Sequence, residues 1–465
     1  MTGHDIICIS SIDWDFIWQG HQEIMSTLSQ QGNRILFIDN TGVRSPRLSD
    51  LPRLRQRVCN WSKSVRGFRL ERKNLWVYSP VILPFPYSRP ARWINRWLLL
   101  RAIRRWMRAT GFGRPVVWSF LPTPLARDLI RELDPLLTVY YCIDDFASSS
   151  QRAKKIGRSE EGLFREADLV FVTSEKLRER AARIARRVHW FPFGVSFERF
   201  RRVQEAADDV PGDFRELPRP VVGYVGGLHQ WVDQDLLAEA ARRLPHASFV
   251  LVGPPQTDVS KLRACSNVHL LGKKPHAELP RYIKGFDIGI VPYGLSEYTA
   301  NVYPTKLNEY LAMGIPVVTT DLPEIRRFNA EHGSIVAVAR DAQSFVEALR
   351  SARAGSVAEI KRRIDVARMN SWESRIVKMS DLIESALVER QAAPVRWEES
   401  LRRHVGGRLA REPEPLRADA ERKEGHTAIV LRRPLAELLG SHEDEVRLAQ
   451  EHPLALDDPL RRART

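Results

Sequence analysis

Two charged residues, Lys306 and Glu309, lie three positions apart at the start of a predicted helix, so that their side chains share one face of the helix. Pro304 and Thr305 precede them, and both residue types favour a helix start: a threonine oxygen can accept from unpaired backbone N–H groups, and proline lacks one. Gly314 ends the helix. A lysine at a helix N-terminus attracts anions, and a carboxylate one turn later can accept hydrogen bonds from a diol. These groups would suit a diphosphate joined to a ribose, although two ordinary surface charges fit the same pattern.

Buried parallel strands are predicted on both sides of this helix. Residues 288–291 and 316–319 are short apolar runs rich in β-branched side chains, which is typical of strands covered on both faces. The order strand, loop, helix, strand is the repeating unit of an open parallel sheet, and such sheets bind ligands beyond the carboxyl ends of their strands. The helix start is therefore predicted to face a ligand crevice.

The ten residues that begin at Glu309, EYLAMGIPVV, carry a resemblance to a known family. They resemble the nucleotide-sugar site of retaining glycosyltransferases of family 4, the glycosyl transferases group 1 type. In that family a Glu-x7-Glu motif occupies this region; its second Glu binds the ribose hydroxyls, and its first lies near the donor sugar. Glu309 matches the second Glu, whereas Asn301 stands at the position of the first. The spelling PTKLNEYL over 304–311 looks most like the branch that includes teichuronic acid biosynthesis glycosyltransferases. The resemblance covers residues 1–390 and is specific over 219–324.

The resemblance implies an α/β protein of the GT-B type, in which two Rossmann-like parallel-sheet domains face each other across a cleft. The predicted division is an N-terminal acceptor domain over 1–200, a linker over 201–219, a nucleotide-sugar-binding domain with a terminal crossover helix over 220–390, and a charged tail over 391–465. The linker is polar and contains prolines, and the tail mixes charges with Pro and Gly and has almost no aromatic residues. We therefore expect the tail to be partly disordered.

Two glycines follow the first predicted strand of the second domain, 221–225. Gly226 and Gly227 would let backbone amides close on a phosphate without a Cβ in the way, although a tight turn with no ligand has the same composition. The family usually places an Arg or Lys and a Lys-Gly pair in this region. Neither is present over 228–231, so Lys306 and the helix dipole would have to neutralise more of the diphosphate.

Three further positions are predicted to bind the donor. Thr305 lies at the helix start that faces the diphosphate. The resemblance implies that the loop after Gly272 lies against the nucleotide base through main-chain groups, and uridine is the base that the family suggests. Gly20, at the start of the first helix, would let the backbone approach a phosphate.

Candidates for acid, base or sugar-binding roles occur after two predicted strands of the N-terminal half. His21 is the nearest candidate for proton transfer, although a histidine at a helix start is more often a cap or a surface residue. Asp144 and Asp145 follow the strand over 137–143 and could accept hydrogen bonds from sugar hydroxyls, or one of them could cap the next helix. No G-x-G-x-x-G motif is present, which disfavours a dinucleotide cofactor. The predicted catalytic set is Lys306, Asn301, His21 and Asp145.

Positive charge is concentrated in residues 41–127, which contain 19 Lys or Arg and 2 acidic residues, an excess of 17 against +15 for the whole chain. Within this block, residues 98–107 place apolar and aromatic side chains on one helical face, and arginines occupy the other. Such a helix is typical of attachment to an anionic bilayer, and a packed helix with a solvated arginine face is the main alternative. Nucleic acid is not an expected partner, because no recognised motif accompanies the charge.

The cysteines and the apolar runs of the sequence indicate in which compartment the protein lies and whether it has a zinc site. The four cysteines are far apart and include no C-x-x-C pair, which disfavours a zinc site or a disulfide framework and favours a reducing cytoplasm. The N-terminus has no secretory signal, and no run of 18 apolar residues occurs. We expect a cytoplasmic protein, peripheral on the inner face of the plasma membrane if the basic block binds lipid.

The resemblance predicts a retaining glycosyltransferase that moves a hexosyl group from a nucleoside diphosphate sugar, a UDP-sugar, to a glycan or lipid-linked acceptor in cell-surface polysaccharide biosynthesis. It implies no cofactor, no bound metal and no obligatory protein nucleophile. Two alternatives stay open at this point. One is a catalytically silent nucleotide-sugar-binding subunit of a membrane polysaccharide assembly complex, and the other is a sugar-nucleotide epimerase of the same fold.

Overall fold

The structure, a computed structural model, describes residues 1–16, 18–42, 67–83, 85, 87–145, 156–206, 210–214, 216–392, 420–423 and 426–429. The chain divides into two compact units, Met1–Ala392 and Ala393–Thr465. In the second unit an antiparallel pair of strands is described, Ala420–Lys423 and His426–Ile429, where the sequence predicted no strand. The remainder of the predicted disordered tail beyond residue 392 lies outside the described residues.

The first sheet is built from the N-terminal half of the first unit. Its strands are β1 (Asp5–Ile9), β2 (Arg34–Ile38), β3 (Phe68–Arg72), β4 (Leu75–Tyr78), β5 (Val116–Ser119), β6 (Leu137–Cys142), β7 (Leu169–Val172) and β8 (Val188–Trp190). They lie in the order β3-β4-β2-β1-β5-β6-β7-β8, and every neighbouring pair is parallel except β3 with β4. Apolar side chains cover both faces of the central strands, as expected for a parallel sheet between helices.

Six helices are described in this half: α1 (Gly20–Gln30), α2 (Arg89–Thr110), α3 (Pro124–Leu133), α4 (Gly157–Glu166), α5 (Glu175–Ala182) and α6 (Phe197–Glu205). Residues 98–107, predicted to be helical, lie in α2, which extends beyond them at both ends. The last helix, α6, runs into the predicted linker over 201–219, because Phe197 and Phe200 bury one of its faces. That linker is therefore partly helical. The β3–β4 hairpin was not predicted, since its short apolar runs lie within the arginine-rich block.

The second sheet has six strands among the described residues, β9 (Val221–Val225), β10 (Ser248–Val252), β11 (Val268–Gly272), β12 (Ile288–Val291), β13 (Val317–Thr320) and β14 (Ala337–Ala339). All are parallel, in the order β11-β10-β9-β12-β13-β14. The helices are α7 (Gln234–Arg243), α8 (Ser260–Arg263), α9 (Leu279–Lys284), α10 (Lys306–Ala312), α11 (Pro323–His332), α12 (Ala342–Ser351) and α13 (Val357–Met369). Two parallel-sheet halves are thus present, and the predicted fold class is confirmed.

A final helix, α14 (Trp372–Ala392), leaves the second half and packs on the first sheet. Its residues Ile376, Met379 and Ile383 belong to the same apolar core as Ile6 of β1. No helix among the described residues combines the length and apolar character needed to cross a bilayer.

The first residue of α14 is a close packing point between the two halves. Trp372 is 5% exposed, and a Cβ added to Gly20 would lie 2.8 Å from its ring. The Trp372 backbone N–H also donates to the Val195 carbonyl at 2.9 Å. The absence of a side chain at Gly20 therefore lets α1 begin directly against the tryptophan.

We expect the substitution Trp372→Ala to lower the midpoint of thermal unfolding strongly, because removing a buried tryptophan typically costs about 3–5 kcal/mol. Val377→Ala is the matched control, since Val377 lies in the same helix and is 53% exposed. Differential scanning calorimetry of both variants measures the effect. Equal midpoints for the two variants would show that the packing of α14 on Gly20 contributes nothing.

Candidate active site

Lys306, the first residue of α10, is a buried cation. Its side chain is 6% exposed, and the ammonium donates to the Tyr293 hydroxyl. The ammonium also lies over two aromatic rings, 5.0 Å from the Tyr224 centroid and 4.8 Å from that of Tyr293, within cation–π distance. None of the ion pairs formed within the described residues involves Lys306. The lysine is thus not an ordinary surface charge, and its contacts with two tyrosines position the ammonium.

The glycine pair after β9 lies beside this ammonium. Gly226 has a φ of +139°, a conformation that side chains rarely adopt, and a Cβ there would lie 3.3 Å from Lys306 Cε. Gly253, immediately after β10, approaches so closely that an added Cβ would lie 2.0 Å from the Gly226 carbonyl oxygen. The Tyr224 hydroxyl donates to the Gly227 carbonyl at 3.1 Å, which fixes the second glycine. Backbone and ammonium are therefore brought together at one edge of the sheet.

Glu309 lies one turn further along α10 and is half-buried. Burial raises the pKa of its carboxyl above the ordinary value, and the positive charges of Lys306 and Arg199 oppose that rise. The side chain of Thr305 is exposed and makes no capping hydrogen bond, so the predicted cap is wrong. Its φ of −54° and ψ of −39° are helical, whereas a capping side chain needs extended backbone.

Two other predicted positions lie at the ends of their elements. Gly272 is the last residue of β11, with a φ of +67° and open space where a Cβ would be. Asn301 ends a short 3-10 turn, Thr299–Asn301, in the loop between β12 and α10. Contacts of these two residues with a donor stay predictions.

Gly20 and His21 are the first two residues of α1. His21 is fully buried; its Nε2 lies 2.9 Å from Ser11 Oγ, and its ring lies 4.1 Å from that of Phe120. Burial lowers the pKa of His21 to about 3, so the imidazole is neutral at neutral pH. Gly20 faces Trp372, as described above. The structure thus gives both residues packing partners, and their roles toward a substrate stay predictions.

Asp144 and Asp145, which follow β6, contact different partners. Asp145 forms an ion pair with Arg180 at 2.9 Å. Asp144 accepts from the Tyr298 hydroxyl at 3.4 Å, a contact from the first half to the loop that precedes α10. Burial raises the pKa of Asp144 to about 6. Asp144 therefore contacts the second half, and the catalytic role predicted for Asp145 stays a prediction.

Aromatic residues around Lys306 were missed by the sequence reasoning. Tyr224 and Tyr293 enclose the ammonium, and Trp231 and Tyr298 have ring centroids 5.1 Å apart. The signal in the sequence is that Tyr224 lies in the predicted strand 221–225 and that Tyr293 lies shortly after the predicted strand 288–291. That signal indicates proximity only once the strand order, with β9 beside β12, is known.

The part of the chain that holds this site matches a known family of domains. Residues 219–353, which include the glycine pair, Lys306 and Glu309, match the family described as Glycosyl transferases group 1. The chain contains a glycosyl transferases group 1 domain. The predicted resemblance to this family is therefore confirmed.

Two curated proteins that are similar to this chain come from Bacillus subtilis strain 168. TuaH, named as a teichuronic acid biosynthesis glycosyltransferase, is 34% identical over 202 residues, which cover 40% of this chain and 50% of TuaH. TuaC, with the same description, is 25% identical over 189 residues, covering 39% of this chain and 46% of TuaC. The chain spans about half the length of the curated relatives it matches.

Solved structures of similar fold extend over most of the chain. Sucrose-phosphate synthase from Thermosynechococcus elongatus has a TM-score of 0.61 at 16% identity, covering 83% of this chain and 100% of that one. HepE of Anabaena, solved with UDP and glucose, has a TM-score of 0.59 at 12% identity, covering 82% of this chain and 100% of that one. These likenesses identify the architecture as the GT-B fold.

The group 1 domain is joined to the first half by a buried carboxylate. Glu324, in the first turn of α11, is 3% exposed, and its Oε1 accepts from the backbone N–H of Glu175 at 2.8 Å, at the start of α5. Its Oε2 has no hydrogen-bond partner within the described residues. Arg327 of α11 pairs with the Glu175 carboxylate and lies 4.0 Å over the Trp190 ring. Burial raises the pKa of Glu324 to about 7.

We expect this carboxylate to make stability fall as the pH rises. The folded protein keeps the Glu324 proton to higher pH than the unfolded chain, whose ordinary value is 4.5, so its contribution is present below 4.5 and is lost as pH approaches about 7. Glu324→Gln should therefore reduce the difference in the free energy of unfolding between pH 5 and pH 8, by about 2–3 kcal/mol. Denaturant titrations at both pH values measure it. Glu331→Gln, an exposed position in the same helix, is the control, and an equal pH dependence in both variants would contradict the assignment.

Proposed function

We propose that this protein is a retaining glycosyltransferase that moves a hexosyl group from a UDP-sugar to a glycan or lipid-linked acceptor in cell-surface polysaccharide biosynthesis. The observation that carries the proposal is the ammonium of Lys306, buried against Gly226 in a group 1 domain, with Glu309 one turn along the same helix. The names of TuaH and TuaC support the polysaccharide pathway, and HepE bound to UDP supports the donor class.

The reaction requires negative charge to be stabilised on a departing diphosphate. The bond between the anomeric carbon and the diphosphate oxygen breaks, and its electron pair goes to that oxygen. The oxygen of an acceptor hydroxyl forms the new bond to the anomeric carbon from the same face, and the hydroxyl proton passes to the departing diphosphate. A fixed cation in a site from which water is excluded stabilises such developing charge without first having to be reoriented. We assign this role to Lys306, we assign the ribose hydroxyls to Glu309, and we assign no protein nucleophile. No metal is part of the proposal.

Attachment to an anionic membrane surface is the second part of the proposal, and helix α2 carries it. Trp93 and Trp97 are 60% and 54% exposed, and the exposed Arg101 lies 5.7 Å over the Trp97 ring. Further exposed arginines follow at positions 104, 105 and 108. Tryptophan beside arginine suits the level of the lipid headgroups, where an indole lies partly in the apolar layer and a guanidinium meets phosphate.

A neighbouring loop enlarges this apolar surface. The Asn95 side chain of α2 accepts from the Leu83 N–H at 2.8 Å and donates to the Leu83 carbonyl at 2.9 Å, which holds the loop against the helix. Val81, Leu83 and Phe85 of that loop are exposed. The rest of the basic block, residues 43–66, lies outside the described residues. An anionic bilayer is the partner that matches both the charge and the exposed rings of this surface.

For the enzymatic part we expect Lys306→Met to reduce turnover by about 10²–10³-fold, as removal of a fixed electrostatic donor typically does. Lys261→Met is the control, since Lys261 is 61% exposed and pairs with Asp235. A panel of radiolabelled UDP-sugars, assayed for transfer and for hydrolysis, provides the measurement. Turnover of the Lys306 variant equal to that of the Lys261 variant would refute the role, and nucleotide binding without turnover of any donor would favour a silent binding subunit.

For the membrane part we expect the protein to sediment with vesicles that contain phosphatidylglycerol at low salt and to remain in the supernatant with neutral vesicles. The double substitution Trp93→Ala and Trp97→Ala should reduce sedimentation, because it removes the exposed rings. Leu295→Ala is the control, since Leu295 is 61% exposed in the other half of the molecule. Indifference to lipid charge, or preferential binding to an RNA competitor, would overturn this assignment.

A further inference from the structure

His229 lies in a tight turn immediately after the glycine pair. The turn is held by backbone hydrogen bonds: the His229 N–H donates to the Gly227 carbonyl at 3.1 Å, and the Val232 N–H donates to the His229 carbonyl at 3.0 Å. The loop also pairs with the segment after β10, since the Leu228 N–H donates to the Pro254 carbonyl at 3.0 Å. The His229 side chain takes no part in these bonds. The backbone hydrogen bonds that hold the turn therefore do not depend on the imidazole.

The imidazole of His229 lies against Gly227. A Cβ added to Gly227 would lie 2.8 Å from His229 Nε2, and the ring stacks on Trp231 with centroids 4.1 Å apart and an interplanar angle of 18°. Within the described residues, neither ring nitrogen has a hydrogen-bond partner. Lys306 lies against Gly226 in the same way, with Cε 3.3 Å from the site of an added Cβ. Two nitrogen-bearing side chains thus flank two adjacent glycines.

We infer that His229 is a second diphosphate-binding side chain, and that its imidazole takes up a proton from solvent when the donor binds. The inference rests on the proposed function, because it needs a diphosphate at the glycine pair. It addresses the missing charge noted in the sequence: residues 228–231 lack the Arg or Lys and the Lys-Gly pair of the family. His229 occupies that stretch and can supply positive charge only in its protonated form.

The surroundings of His229 disfavour the protonated imidazole when no anion is bound. Burial lowers its pKa below the ordinary value of 6.5, and the positive charge of Lys306 lowers it further. Other titratable groups on the adjoining elements are already bonded: Tyr224 donates to the Gly227 carbonyl, Tyr298 to Asp144, and Asp233 accepts from the Leu236 N–H. A bound diphosphate would reverse the sign of the local field and raise the pKa, because an opposite charge favours the protonated form. Donor affinity should therefore rise as the pH falls.

Isothermal titration calorimetry with UDP, in buffers that differ in ionisation enthalpy, measures this proton uptake. The protein, His229→Gln and His229→Lys are compared at about pH 6 and pH 8, on either side of the ordinary histidine range. His246→Gln, at an exposed histidine of the same half, is the control. Inorganic pyrophosphate is a second probe, which tests the diphosphate site without the base. Thermal unfolding midpoints verify that each variant is folded.

We expect the protein to take up more protons on binding UDP than His229→Gln does, and to bind about tenfold more tightly than that variant at the lower pH. His229→Lys should keep tight binding at both pH values without the extra proton uptake, because its charge is already present. Equal affinity and equal proton uptake in the protein and His229→Gln would overturn the inference while leaving the proposed function intact. Failure of the unaltered protein to bind UDP or pyrophosphate would overturn both.

Discussion

The arrangement of the site depends on the burial of one ammonium group. Removing a charge from water is costly unless it is hydrogen-bonded or paired, and Lys306 has one hydroxyl acceptor and two ring faces instead of a carboxylate. A carboxylate partner would neutralise the field of the ammonium. Neutral partners keep the lysine in place and leave that field available to an anion. The aromatic enclosure thus holds a cation in a fixed position without cancelling its charge.

The aromatic residue of α10, Tyr310, attaches this helix to the sheet. The Tyr310 ring packs over Gly289 of β12, where a Cβ would lie 2.5 Å from the ring. Its hydroxyl accepts from the Val225 N–H at 3.0 Å, at the end of β9. One side chain therefore attaches the helix to two adjacent strands, and the helix in turn places Lys306 beside the glycines that follow β9. The packing of α10 on β9 and β12 therefore determines where the ammonium of Lys306 lies.

The positions of many strands along the chain could be predicted, because buried parallel strands contain short runs of β-branched residues, such as 221–225 and 288–291. The helix that carries Lys306 and Glu309 could be predicted from its Pro-Thr start and its Gly314 end, although the Thr305 side chain proved not to cap it. The partners of Lys306 could not be predicted. Tyr224 is far from it in sequence and meets it only because β9 lies beside β12, and the order of strands across a sheet cannot be inferred from local composition.

The polar contacts between the halves were also beyond sequence reasoning, and one of them involves the same helix. Asn308, two residues after Lys306 and fully buried, donates to the Phe193 carbonyl of the first half at 3.2 Å and to the Tyr303 hydroxyl at 2.9 Å. The helix that holds the cation against the second sheet is thereby bonded to the first half as well. Because buried polar groups that lose a partner are costly, a change in the separation of the halves would act on this helix directly. The position of Lys306 and the contact between the two halves are therefore linked through a helix of seven residues.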